Sequence, residues 1–141
     1  FVILSLLFLC AFVEASGVLT FQIEVLPGVT ISSPGLLDLG PVAPGVSVER
    51  EVEVTVWSNV EWELAAQVLN TDSDGLEAKV EVFESGTWRE LTTMSRSIFE
   101  AMPIAGAEGT DVQIPFRVTS SHDNTPGNYS LQVEFTVVPS L

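Results

Sequence analysis

The chain predicts an all-β protein, folded as two stacked antiparallel layers of about eight or nine short strands. Three observations point there. Apolar and polar residues alternate with period two over long stretches, turn-forming pairs separate those stretches at short intervals, and no helical repeat of comparable quality follows Ala15.

The elements follow in chain order. Leu19, Phe21, Ile23 and Val25 alternate with Thr20, Gln22 and Glu24, which predicts a first strand over Val18 to Leu26. Val52, Val54 and Val56 alternate with Glu51, Glu53 and Thr55, and Val60, Trp62, Leu64, Ala66 and Val68 alternate with Glu61, Glu63 and Gln67. Val112, Ile114, Phe116 and Val118 alternate with Asp111, Gln113 and Arg117. The closing set is Tyr129, Leu131, Val133, Phe135 and Val137 against Ser130, Gln132, Glu134 and Thr136. Side chains leave a strand on opposite faces in turn, so each set presents one face to a core and one to water.

Pro27-Gly28, Pro34-Gly35, Pro44-Gly45, Ser58-Asn59, Asp74-Gly75, Ser85-Gly86 and Pro126-Gly127 supply the backbone angles of tight reversals. Val80 to Phe83, Ser85-Gly86-Thr87 and Trp88 to Thr92 read as a hairpin. Between Thr93 and Gly109 the pattern is weakest: Ile98 to Ala101 reads as a short strand, and Met102 to Gly109 as a loop. No internal repeat or low-complexity tract divides the chain, which predicts one domain over 16–141.

Pro44-Gly45 leading into Val52-Glu53-Val54-Thr55-Val56, then Ser58-Asn59-Val60-Glu61-Trp62-Glu63-Leu64, resembles the early strands of prokaryotic secreted and cell-surface modules with an Ig-like, or fibronectin-like, β-sandwich. Pro126-Gly127-Asn128-Tyr129 and Leu131 to Val137 are similar to the closing strand of such modules, with Tyr129 placed as in a tyrosine corner. The resemblance implies an Ig-like antiparallel sandwich and an extracytoplasmic location: secreted, periplasmic or cell-surface. These motifs are architectural and recur in adhesins, pilus subunits, enzyme accessory domains and chaperones, so they select a fold rather than an activity.

Ahead of the domain, Phe1 to Val13 is nearly unbroken apolar sequence, followed by Glu14 and Ala15. A run of that length is too short to cross about 30 Å of hydrocarbon as a helix and suits the core of a secretory signal over 1–15, truncated at its start. The alternatives are a buried core element and the apolar helix of a mature pilin; Glu14 and Ser16-Gly17 cut the latter short. The single cysteine, Cys10, departs with the signal, and bulky Leu9 argues against a lipidation site there. A domain without disulfides depends on packing.

Five Lys+Arg against nineteen Asp+Glu give a formal net charge of −14. Nucleic acids and anionic lipids need clustered cations, so neither is an expected partner, nor is a membrane after signal removal. Protein partners or self-association fit better, with carbohydrate a candidate ligand and no cofactor required.

One motif carries metal-binding spacing. Asn70, Asp72 and Asp74 stand at positions one, three and five of a turn, Gly75 at six and Glu81 at twelve, as in a calcium loop. Asn70 replaces the usual acid, Glu77 stands where an apolar residue is usual, and the flanks are strands, so a plain Asx-rich turn competes with Ca2+. Of the tryptophans, Trp62 is in phase with the core, Trp57 points outward, and Trp88 is undetermined; one outward ring is no sugar platform. His122, in Ser120-Ser121-His122-Asp123-Asn124, reads as a solvated turn, because a catalytic triad needs convergence from separate elements. One His and no mature Cys argue against zinc. Asn128-Tyr129-Ser130 fits the N-glycosylation sequon.

No nucleophile–base set is present, so an enzyme is not expected. The chain reads first as a non-enzymatic secreted or cell-surface structural or adhesive module, such as a filament or surface-assembly subunit. The competing reading is a calcium- or carbohydrate-binding accessory module. Val18 to Leu26 bears on the first: a terminal strand with so regular an apolar face either pairs at home or completes a neighbour's sandwich.

Overall fold

Val54, Val56, Trp62, Leu64, Val82 and Ile114 are fully buried; all but Val82, in the expected hairpin, occupy the apolar phase of an alternating stretch. A computed structural model of the chain describes residues 15–69 and 76–140. The segment 1–15 expected to be a signal falls outside that range but for Ala15, as do Cys10 and the expected turn over 70–75.

The strands are β1 (Val29–Ser32), β2 (Ser47–Ser58), β3 (Trp62–Leu69), β4 (Ala78–Glu84), β5 (Thr87–Leu91), β6 (Arg96–Met102), β7 (Gly106–Ser120) and β8 (Gln132–Pro139). One sheet has five strands in the order β1-β2-β7-β4-β5, and the other three in the order β6-β3-β8. All pairs are antiparallel. The two sheets close on the core that the alternation predicts, an Ig-like sandwich.

The long β2–β7 ladder places Val52 opposite Ile114 and Val54 opposite Val112, which aligns their apolar faces. Trp62 and Leu64 project from β3 into the same interior. Phe116 of β7 meets Phe135 of β8 edge to face, ring centres 6.0 Å apart, and ties the sheets together. In the β4–β5 hairpin Glu84 pairs with Thr87, and the two-residue turn between them, Ser85-Gly86, has positive φ at both positions. That backbone matches the strand twist and gives the hairpin its register.

Three expectations are corrected. Met102 to Gly109 is not all loop: β7 begins at Gly106, where Gly106 and Gly109 take positive φ beside an irregularity of the β2 ladder between Val56 and Ser58. Trp57 points outward from that irregularity and covers Gly109, where a Cβ would lie 2.8 Å from the indole nitrogen. The closing strand starts at Gln132 rather than Tyr129; Tyr129 sits in the preceding loop and donates its hydroxyl to the Thr125 carbonyl at 2.6 Å, a corner bond of the expected kind.

The third correction is the largest. Val18 to Leu26 forms no strand in this molecule, and every residue from Ala15 to Gly28 is exposed. Leu19, Phe21, Ile23 and Val25 are between 72% and 84% accessible. Alternation shows that a segment has two faces; it does not show that its own domain has room for it. The first strand is instead β1, four residues held between Pro27-Gly28 and Pro34-Gly35.

Candidate functional site

The interior is covered unevenly. On β7, Val112, Ile114 and Phe116 are buried, whereas the facing residues of β8, Val133, Phe135 and Val137, are only half-buried, as is Leu131 before them. The reason lies in the strand pairing. β1 pairs with β2 only from Thr55 to Ser58, leaving Ser47 to Val54 with β7 as partner on one side. β8 pairs with β3 on one side, and among the described residues no strand pairs with its other edge.

Between these two edges runs a cleft of about 1320 Å³. Leu37 and Leu39 of the β1–β2 connection line one wall, Val52 and Phe116 the floor, and Val133 and Phe135 the other wall. Past Ser32 the chain leaves the sheet, and the stretch to Val46 crosses the cleft's rim as irregular backbone with Leu36 87% exposed. A row of free backbone N–H and C=O groups along β8, above an apolar trough, is a template for one more strand.

The loop between β7 and β8 closes one end of the cleft. Asn124 anchors it: its Nδ2 donates to the Glu77 carbonyl at 2.6 Å, and its Oδ1 accepts from the Glu77 N–H at 2.6 Å. His122 lies exposed in this loop beside Gly45, and Asn128 of the sequon is exposed there too. Toward β1 the cleft's lining stops at Ser33, just past the end of that strand.

The calcium-spaced residues divide. Asn70, Asp72 and Asp74 lie outside the described residues. Glu81 is a buried residue of β4 on the outer face of its sheet, and both its carboxylate oxygens are engaged, accepting from Arg117 Nε and Nη2 at 3.0 Å each. Lys79 Nζ stands 3.8 Å away. The hydrogen bonds from Arg117 hold the Glu81 carboxyl below its ordinary value against the opposing effect of burial. Trp88, of undetermined direction in the sequence, also lies on this outer face: it packs edge to face on Phe83 at 5.3 Å, with the Arg117 guanidinium 4.4 Å from its ring centre. Trp62 is fully buried, as expected of a core residue.

The residues that form the cleft were missed as a site because each reads as ordinary core. The available signal was the surplus of alternating apolar segments over the strands needed to close the sandwich.

No family model and no curated protein matches the chain. Solved structures do. The crystal structure of the P pilus rod subunit PapA aligns with a TM-score of 0.53 at 12% identity, covering 89% of this chain and 100% of that one. A chaperone–usher pilus structure that reveals the molecular basis of rod uncoiling aligns with a TM-score of 0.51 at 14% identity, covering 90% and 97%. At such identities the likeness is one of fold: the chain shares the Ig-like sandwich of pilus rod subunits.

Proposed function

We propose that the chain is a non-enzymatic subunit of an extracytoplasmic filament, in which residues 18–26 of one copy fill the cleft of the next. One observation carries the reading: the same chain holds an apolar trough bordered by an unpaired strand edge and, outside its own fold, an unpaired segment with the alternation to fill it.

The dimensions agree. Four alternate apolar residues of the segment, Leu19, Phe21, Ile23 and Val25, match the four half-buried positions Leu131, Val133, Phe135 and Val137. Nine extended residues reach about 30 Å, enough to run the length of β8. Full burial of four such side chains contributes roughly 6–12 kcal/mol gross, from which ordering and association costs are subtracted. Donor and acceptor are different surfaces of one chain, so the contact is head-to-tail and generates an open polymer. The fold shared with pilus rod subunits supports this reading, as does a net charge that disfavours nucleic acid and anionic lipid.

Deletion of 18–26 is the test. The truncated domain should remain monomeric by size exclusion and negative-stain microscopy, and should bind an added peptide of that sequence. If it still polymerises, strand donation is wrong.

A further inference from the structure

The segment that leaves the domain starts from a fixed point. Asn59, in the turn between β2 and β3, holds both sides of Pro27: its Nδ2 donates to the Leu26 carbonyl at 2.9 Å, and its Oδ1 accepts from the Gly28 N–H at 2.8 Å. Its backbone N–H also donates to the Gly28 carbonyl, at 3.3 Å.

These bonds oppose what the local sequence favours. Pro-Gly at the two central positions is the pairing of a type II turn, closed by a bond from the fourth residue's N–H to the first residue's carbonyl, with positive φ at the glycine. Over Leu26-Pro27-Gly28-Val29 that turn would fold residues 18–26 back beside β1. Running back past β1, the reversed segment would bring residues 18–22 alongside Ser33 to Leu37, which line the cleft of its own domain. In the structure Gly28 does not take positive φ, and the Leu26 carbonyl that would close the turn is occupied by Asn59. Every residue from Ala15 to Gly28 is exposed.

We infer that Asn59 is a positioning residue which, by holding Leu26 and Gly28, directs the 18–26 segment away from its own cleft and toward that of a second copy of this chain. The inference rests on the strand-donation reading and adds to it the choice between closing at home and joining a neighbour. A donor that can fill its own acceptor ends the chain, so assembly depends on denying it that option.

The test compares Asn59→Asp and Asn59→Ala with the unaltered chain. Asp retains an acceptor for the Gly28 N–H and loses the donor to Leu26, so it releases the turn-closing carbonyl with little change of shape. Both variants should polymerise roughly tenfold less at equal concentration, a shift of ~1.4 kcal/mol, and leave monomers that no longer bind the 18–26 peptide. Adding Gly28→Ala, which disfavours the positive φ of the reversal, should restore polymers; its Cβ meets nothing within 4 Å. Gly28→Ala alone should polymerise at least as well as the unaltered chain. Undiminished polymer in the Asn59 variants, or reduced polymer with monomers that still bind the peptide, would overturn the inference and leave strand donation standing. If the unaltered chain forms no polymer and its truncated domain ignores the peptide, both fall.

Discussion

Arg117 on β7 reaches across to Glu81 on β4 and meets its carboxylate side-on, with Nε and Nη2 each 3.0 Å from an oxygen. The same guanidinium lies over Trp88. This cluster staples the outer face of the larger sheet, on the side away from the cleft, and it makes part of the domain's stability dependent on pH.

Because the folded Glu81 carboxyl titrates below its ordinary 4.5, its contribution is present in full above that pH and lost as pH falls through the lowered folded value. A Glu81→Gln variant lacks the charge at every pH. Its deficit in urea midpoint relative to the unaltered domain should be greatest at neutral pH and shrink in acid. A deficit that stays constant down to acid pH would contradict the pairing.

Core and cleft should respond differently to truncation. Leu64 is fully buried, so Leu64→Ala should destabilise the isolated domain by about 2–5 kcal/mol. Val133, half-buried at the cleft wall, should lose less than half as much in the isolated domain on replacement by Ala. In the polymer the same change should weaken subunit association, measured as a higher concentration for half-assembly.

The 18–26 segment should tolerate a charge until assembly is asked of it. Ile23 is 84% exposed, so Ile23→Arg should alter the unfolding free energy of the monomer by no more than about 0.5 kcal/mol. Polymer formation should be lost, because an unpaired charge would have to enter the apolar cleft.

A sequence with nineteen Asp+Glu against five Lys+Arg makes strongly acidic subunits, which repel one another. Raising ionic strength from about 0.01 M to 0.15 M shortens the screening length from roughly 30 Å to 8 Å. Light scattering should therefore show faster polymer growth with added salt. Growth slowed by salt would point to assembly through ion pairs instead.

Much of the sandwich was legible because β2, β3, β7 and β8 each expose one face to core and one to water over several residues, and burial enforces that pattern. β1 was not, since four residues between two Pro-Gly turns are too few for a period to show. Glu81 illustrates the limit at the site level: its spacing fits a calcium loop, but nothing in the local sequence shows that Arg117, on a strand distant in sequence, is brought alongside it by the β4–β7 ladder. The cleft was hidden for the opposite reason. Val133 and Phe135 have the pattern of core residues, and what distinguishes them is that no strand among the described residues pairs along the outer edge of β8 to cover them.

Amide hydrogen exchange over residues 18–26, compared between monomer and polymer, tests the central claim most directly. In the monomer these amides should exchange at rates near those of a free peptide. In the polymer, pairing along the free edge of β8 should slow alternate amides of the segment by orders of magnitude, together with those of 132–137. A polymer in which 18–26 still exchanges as freely as in the monomer would show that the subunits join by some other surface.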